Sequence, residues 1–474
     1  MADPLRAARE ALAGRPAWLV GGAIRDRVLG RRTTDLDVVV DGDPSQAARA
    51  IARAAGRAAC FALSEEFGAW RVSARDSSWQ VDVEPLRGGS LQADLALRDF
   101  TVNAIAEPIE GGEPIDPLGG LTDLAAGRLR MAGPGAFADD PLRVLRLVRV
   151  AVELGLEPEP ETLRVAREHA SELVRCSPER VFAELRRIIA AREALRGLEM
   201  MSELHATEVV FPELEALRGV EQNRFHHADV HGHTLEVLRR TIELTEFAAG
   251  ADIVEDELGG VLGEHRTAVA KLLAEPLADG LTRAEALRWG ALLHDAAKPL
   301  TRGVRPGDGR VTFIGHDERG AALAREVLGR LRSSERLRAH VAALVRHHLR
   351  LGFLVHERQP LARRTVFSYL RATDPVEVDV TLLSVADRLA TRGDRAQEAI
   401  AAHLAVAGGM LGDALSWRAQ GPPAPLLRGD ELARELEIPP GPRLGALLDQ
   451  LAEAQFAGEV STREQALAYA RTLG

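Results

Sequence analysis

Polar and apolar positions change period several times along this chain, and each change marks an element. Trp18-Leu19-Val20 is a short apolar run ending at Gly21-Gly22, after which Ile24, Val28 and Leu29 recur at helical spacing. Beyond a basic turn, Arg31-Arg32, the stretch Asp35-Leu36-Asp37-Val38-Val39-Val40 reads as a strand. Side chains alternate along a strand, so Asp35 and Asp37 share one face while Leu36, Val38 and Val40 share the other. An alanine-rich helix follows near Ser45 to Ala55. Trp79 to Glu84 then alternates again, with Gln80, Asp82 and Glu84 on one face. From about residue 131 the pattern is helical. Asp140 is expected as an N-cap with Pro141 at the first helical position. Leu142, Leu145, Val148 and Val152 then form an apolar stripe, with Arg143 and Arg146 on another face. Ser177-Pro178-Glu179-Arg180 opens a further helix, and Pro422-Pro423-Ala424-Pro425 is a hinge before a last helical segment.

Two carboxylates on one strand face suit a hard divalent cation such as Mg²⁺, which also takes phosphate oxygens. Gly21-Gly22 at the mouth of a helix leaves backbone N–H groups open to a phosphate. Asp82 is placed to be a third carboxylate, with Glu84 as its local competitor. Asp140 and Arg143, three residues apart, can face the same way. A carboxylate can accept from the cytosine N4 amine and a guanidinium can donate to ring acceptors, so the pair can read a base edge. Each piece has a plainer alternative: a solvated strand face, a simple turn, a helix cap with a surface ion pair.

Composition changes this picture only at its edges. The 474 residues allow several domains. No apolar run approaches membrane-spanning length, and the N-terminus lacks a signal-peptide core. Two cysteines, Cys60 and Cys176, make a disulfide framework implausible and point to a cytoplasmic, soluble protein with no membrane partner. The net charge of −10 weighs mildly against a nucleic-acid partner. The basic residues, however, are almost all arginine, with Lys271 and Lys298 the only lysines, and whole-chain charge leaves local phosphate-binding patches open.

Taken in this order and spacing, Trp18 to Asp43 resembles the nucleotidyltransferase head of the class II CCA-adding enzymes and bacterial poly(A) polymerases, within the polymerase-β-like superfamily. Leu97-Arg98-Asp99-Phe100-Thr101-Val102-Asn103-Ala104 is similar to the family's Arg-Arg-Asp-Phe-Thr-x-Asn-Ala motif, with Leu97 in place of the first arginine. Asp139-Asp140-Pro141-Leu142-Arg143 resembles its base-selecting motif. Asp116-Pro117-Leu118-Gly119-Gly120 repeats a pattern whose role is structural. The resemblance implies an α+β protein: a polymerase-β-like head over 1–130, an all-α neck over 131–215, an HD-type helical domain over 222–395 and a helical tail over 396–474. It implies a tRNA nucleotidyltransferase joining C, A or both from CTP and ATP to the tRNA 3′ end. Asp35 and Asp37, aided by Asp82, would hold two Mg²⁺ ions. Gly21, Gly22, Arg25, Arg98, Asp99, Asn103, Asp140, Arg143 and Arg146 would bind the nucleotide, and Arg180 would be a further phosphate contact.

One departure bears on specificity. Only ten residues separate Arg87 from Arg98, where many CCA-adding relatives carry a longer flexible loop associated with switching from C to A. A CC-adding or an A-adding enzyme is therefore open beside full CCA addition, as is a poly(A) polymerase.

A second constellation runs from His226-His227 through His233, His294-Asp295, His316 and His347-His348 to Asp387, within 14 histidines overall. A first His, a His-Asp doublet and a distal Asp follow the ligand order of HD-type phosphohydrolases. That resemblance implies His233, His294, Asp295 and Asp387 around one metal, with His316 and His347 as extra ligands of a second. Such ligands suit Ni²⁺, Mn²⁺, Fe or Zn²⁺. A metal phosphohydrolase acting on 2′,3′-cyclic or 2′-phosphates is the alternative activity, and an HD-like body kept only as scaffold is the plainer one.

Overall fold

The computed structural model describes residues 3–473 except 32, 65–67, 77, 223–227, 253–255 and 392–395. The chain divides into two compact units, Met1–Val210 and Phe211–Gly474.

The first unit is built on a six-stranded mixed sheet. Its strands are β1 (Ala17–Val20), β2 (Asp35–Val40), β3 (Ala59–Ser64), β4 (Ala69–Ser73), β5 (Gln80–Pro85) and β6 (Ala106–Pro108), in the order β3-β4-β5-β2-β1-β6. β2 and β5 run parallel with Asp37 opposite Asp82, and the other neighbours are antiparallel. The alternation read in β2 holds. Leu36, Val38 and Val40 pack with Ile51 and Leu12 in the larger core, while Val39, on the aspartates' face, joins Leu91, Leu95 and Ala104. The helix after Gly21 is only seven residues long, Gly22–Val28. It buries Ala23 and Ile24 but leaves Val28 and Leu29 exposed, so the expected apolar face reduces to one turn.

The neck helices include Arg143–Leu154 and Pro178–Ala190. The first starts later than expected. Arg143 N donates to Asp140 O and Val144 N to Pro141 O, both three residues back, so α-geometry begins at Arg143 and Leu142 takes the cap position. Asp140 is thus a turn residue rather than the N-cap. The Asp-Pro-Leu-Gly-Gly motif is structural for a stated reason. Gly119 sits at φ +74°, and a Cβ on Gly120 would lie 2.0 Å from the Thr101 carbonyl oxygen.

Among its described residues the second unit is helical, apart from two small hairpins. The helix Ala396–Gln420, expected to begin the tail, packs instead on Glu377–Ala390. Contrary to the reading of the sequence, its Gln397–Gln420 stretch is long and apolar enough to cross a membrane by length and composition alone. Here it is an element of the helical body, burying Ile400, Ala407, Leu411, Ala414 and Trp417. The tail's own small core begins at Leu427 and includes Leu432, Leu444, Leu447 and Leu451.

Candidate functional site

β2 presents Asp35 and Asp37 at the wall of a polar cavity of about 420 Å³. Gly21, Gly22, Arg25, Arg98, Asp99, Asn103, Arg143 and Arg146 line it as well. Burial pushes the Asp37 carboxyl up to about 6, offset by Arg98 and reinforced by Glu84, Asp82 and Asp35. Asp35 and Asp37 beside one another and near Glu84 make an anionic donor set that a divalent cation fits. The third carboxylate is differently placed from the first two. Asp82 receives both arms of Arg71, at 2.7 Å each, from the facing position on β4. Glu84, its competitor in the sequence, opens into the cavity.

Gly21 is required by space and by conformation. It sits at φ +72°, and a Cβ there would lie 3.3 Å from both Arg98 Nη1 and Asp37 Oδ2. Its own N–H is spent on the Ile105 carbonyl (3.1 Å), so Gly21 brings the chain close without offering that donor to a phosphate. Arg25 is held by Asp26 and donates to Asn103 Oδ1. Asn103 in turn donates to Asp99 Oδ1 (3.0 Å), and Arg146 reaches Asp99 Oδ2 (3.4 Å). Burial alone would raise Asp99, but Arg146, Asn103 and the Phe100 N–H hold it below the usual carboxylate range. Glu184 binds Arg146 and Arg149 from the neighbouring helix. Arg87, Arg149 and Arg187, not singled out from the sequence as nucleotide contacts, also face this cavity. The three-residue spacing of Arg143, Arg146 and Arg149 was the available signal.

The expected base-reading pair is not assembled. Arg143 is buried, and its guanidinium donates to the carbonyls of Leu97 (2.9 Å), Ala136 (3.0 Å) and Arg98 (3.3 Å). The helix carrying it is packed on nearly every side, and the arginine lines the cavity with its guanidinium already committed to backbone carbonyls. Asp140 pairs with Arg180 (2.7 Å) and does not line the cavity. The short connection from Arg87 to Arg98 is a folded element, the helix Leu91–Ala96 capped by Ser90. Its Asp94 is fully buried and accepts from Arg87 Nε (3.1 Å) and Arg98 Nη2 (3.3 Å).

The second unit brings its histidines together around Asp295. Asp295 Oδ2 lies 3.1 Å from His294 Nε2 and 3.7 Å from His233 Nε2, while Oδ1 lies 3.4 Å from His316 Nε2 and 3.9 Å from His348 Nε2. Asp387 joins His233 at 3.1 Å. Two triads, His233-His294-Asp295 and Asp295-His316-His348, therefore share one carboxylate. His294, His316 and His348 each turn Nδ1 to the carbonyl three residues back, Ala291, Phe313 and Val345, which aims each Nε2 at the centre. His294 Nε2, His316 Nε2 and Asp295 Oδ2 are buried without a hydrogen-bond partner among the described residues. Lys298 Nζ stands 2.7 Å from that oxygen but off hydrogen-bond direction, and donates to Gln222 instead. Orphaned donor atoms converging at these separations fit metal ions. Burial would raise Asp387, but the hydrogen bond and charge of His233 hold it well below the carboxylate range.

One ligand expectation is corrected. His347 is not in this cluster: its Nδ1 accepts from Arg350 Nε (2.9 Å), and His348 occupies the expected place. Neighbouring helical residues point about 100° apart, so only one of the doublet can face the centre. His226 and His227 lie outside the described residues.

Comparison with known proteins agrees with this layout. Residues 17–130 match the poly A polymerase head domain, 155–217 the probable RNA- and SrmB-binding site of polymerase A, and 262–392 the HD domain. The A-adding tRNA nucleotidyltransferase of Deinococcus radiodurans is 35% identical over 466 residues, covering 96% of this chain and 94% of that protein. The CC-adding tRNA nucleotidyltransferase of Thermus thermophilus is 34% identical over 461 residues, covering 96% and 92%. The solved Thermotoga maritima CCA-adding enzyme, complexed with tRNA, shares the fold with a TM-score of 0.60 at 19% identity, over 99% of this chain and 93% of that one. With relatives this similar along nearly its whole length, the chain belongs to the family of tRNA nucleotidyltransferases built on the poly A polymerase head.

Proposed function

We propose that this protein extends the tRNA 3′ end from CTP, and that it stops after CC. The reading rests on family membership for the reaction and on one observation for its extent. The segment between Arg87 and Arg98 is a short helix anchored by buried Asp94, not a long mobile loop. Asp94 ties both flanking arginines, so the cavity wall beside Arg98 has little freedom to reshape for a second kind of base.

The family implies a divalent metal, and Asp35 and Asp37 are the residues that would hold Mg²⁺. When bound, it would supply Lewis acidity toward the attacking 3′-hydroxyl and the leaving pyrophosphate. The chain's own contribution is position and charge. Arg98, set among Asp37, Glu84 and Asp94, faces the triphosphate. Arg25, Asn103, Asp99 and Arg146 form a pre-oriented network along the ribose and phosphates, with Arg149 and Arg187 beyond it. Reduced Cys60 and Cys176 and a tRNA substrate support a cytoplasmic location.

The test uses tRNA transcripts ending before the first C, after one C, and after both, each with labelled CTP or ATP and resolved to one nucleotide. Two C additions and no A on any end is the expected result. A addition to the CC end would overturn the CC reading, and long A tracts would favour a poly(A) polymerase. Asp35→Ala and Asp37→Ala should each abolish incorporation.

A second activity is favoured by the shared-carboxylate cluster of the second unit. We read it as a metal phosphohydrolase site, with His233, His294, Asp295 and Asp387 around one ion and Asp295, His316 and His348 around another. Ni²⁺, Mn²⁺, Fe or Zn²⁺ suits these donors. Hydrolysis of 2′,3′-cyclic or 2′-phosphates that is lost in His294→Ala and kept in Asp37→Ala would support it. Absence of bound metal in the purified and reconstituted chain would remove it.

A further inference from the structure

A cavity of about 160 Å³ opens beside this histidine cluster, and two of its lining residues, His348 and Asp387, belong to the proposed ligand set. One wall is a single helical stripe. Ser384, Asp387 and Arg388 recur three and four residues apart on the helix Glu377–Ala390, so they share a face. His403, from Ala396–Gln420, and His356 also line it.

The chemistry of this wall is that of an anion site. Arg388 is half-buried, and among the described residues Asp387 is the only carboxylate lining the cavity. Its Nη2 reaches only the Thr391 carbonyl, at 3.4 Å, and its Nε is buried with no hydrogen-bond partner among the described residues. A buried donor without a partner leaves the guanidinium under-compensated. His403 Nε2 lies 3.1 Å from Ser384 Oγ. The pair therefore adds neutral polar groups next to the cation. Nothing else in the mechanism uses Arg388.

We propose that this cavity receives the phosphoryl group of a terminal phosphate ester, with Arg388 gripping the oxygens turned away from the metal ligands and Ser384 and His403 beside it. The proposal rests on the phosphohydrolase reading of the neighbouring cluster and names the substrate class of that site. The volume sets the size. Sites for whole small molecules run from about 300 Å³ upward, so this one takes a phosphate and the carbon bearing it while the rest of the molecule stays outside. The hydrolysis balances with water alone. The oxygen of water bonds to phosphorus, the ester P–O bond breaks, and a proton from the water ends on the departing alcohol. Orthophosphate is the product left in the cavity.

Orthophosphate is therefore the probe. The full chain, loaded with Mn²⁺, is titrated with inorganic phosphate by calorimetry, and Mn²⁺ stoichiometry is measured separately on the same proteins. Arg388→Gln should weaken phosphate binding about tenfold or more, the loss of a charge-assisted contact, with Mn²⁺ uptake unchanged. Arg388→Lys, which keeps the charge, should recover part of it, and both variants should melt as wild type does. Wild-type phosphate affinity in Arg388→Gln with intact Mn²⁺ uptake would overturn the proposal while sparing the metal site. No Mn²⁺ uptake by wild type would sink the phosphohydrolase reading. In that case Arg388-dependent phosphate binding by the metal-free chain still supports the anion site, and its absence overturns it.

Discussion

Replacing Arg143 with methionine separates two roles that share one residue. In the family's motif an arginine at this position would choose between bases, yet here the guanidinium holds the carbonyls of Leu97, Arg98 and Ala136. Those carbonyls fix the turn that carries Arg98 into the cavity and begins the Asp99-Asn103 segment. Methionine keeps much of the apolar stem and removes all three bonds. A stranded buried acceptor costs about 1–3 kcal/mol, and with water reaching some of them the total should be about 2–5 kcal/mol. Urea unfolding followed by tryptophan fluorescence measures this directly. Single-turnover incorporation should fall for every nucleotide the enzyme uses, because Arg98 and Asp99 lose their support together. The ratio of CTP to ATP use should stay within about threefold, under 1 kcal/mol of discrimination. A variant within about 1 kcal/mol of wild type whose C-to-A preference moved tenfold would refute the reasoning. It would mean that Arg143 leaves its carbonyls when substrate binds.

Other consequences are open to the same kind of check. Asp37→Asn should stabilise the protein in EDTA at pH 8 while abolishing transfer. A raised carboxyl favours folding while protonated, so its penalty is absent below about 3.8 and complete above about 6. Calorimetry at pH 5 should then show a smaller gain than at pH 8, and an equal gain at both would dismiss the cause. Gly21→Ala should nearly silence incorporation, since a Cβ crowds Arg98 and Asp37 in a left-handed backbone, and wild-type turnover would show that this contact is dispensable. Removing Asp94 by Asp94→Ala strands two arginines and should cost about 3–5 kcal/mol by chemical denaturation; a neutral result would break the argument that this short helix is rigid. His348→Ala should lower bound Mn²⁺ per chain where His347→Ala does not, and the reverse pattern by metal analysis would undo the ligand assignment.

What the sequence made legible was periodic. The β2 alternation was readable because a two-residue period admits only one division of Asp35-Leu36-Asp37-Val38-Val39-Val40 between faces, and the core falls on the expected side. The histidine cluster was readable as a set of residue types but not as a geometry. The doublet His347-His348 carries the same chemistry twice, and only the phase of the helix Glu335–His347 decides which ring turns inward. Arg143 failed for a related reason. Its place beside the apolar stripe suggested an outward face, but the helix is buried on nearly all sides, and a buried arginine must find acceptors wherever the chain supplies them.

The same principle links the two sites. In each, one charged group is already paired within the chain and another is left under-compensated. Asp82 is satisfied by Arg71 while Asp37 is raised by burial and then by neighbouring carboxylates; Lys298 is held by Gln222 and Asp295 while Arg388 keeps a buried Nε without a partner among the described residues. A polar group buried without compensation costs stability, and such costs collect where a protein meets its ligand. The groups whose partners are missing in the folded chain are therefore guides to the reacting ends of substrates, whether a motif already named them, as for Asp37, or not, as for Arg388. Arg388 and Asp37 are those groups here, one awaiting an anion and the other a cation.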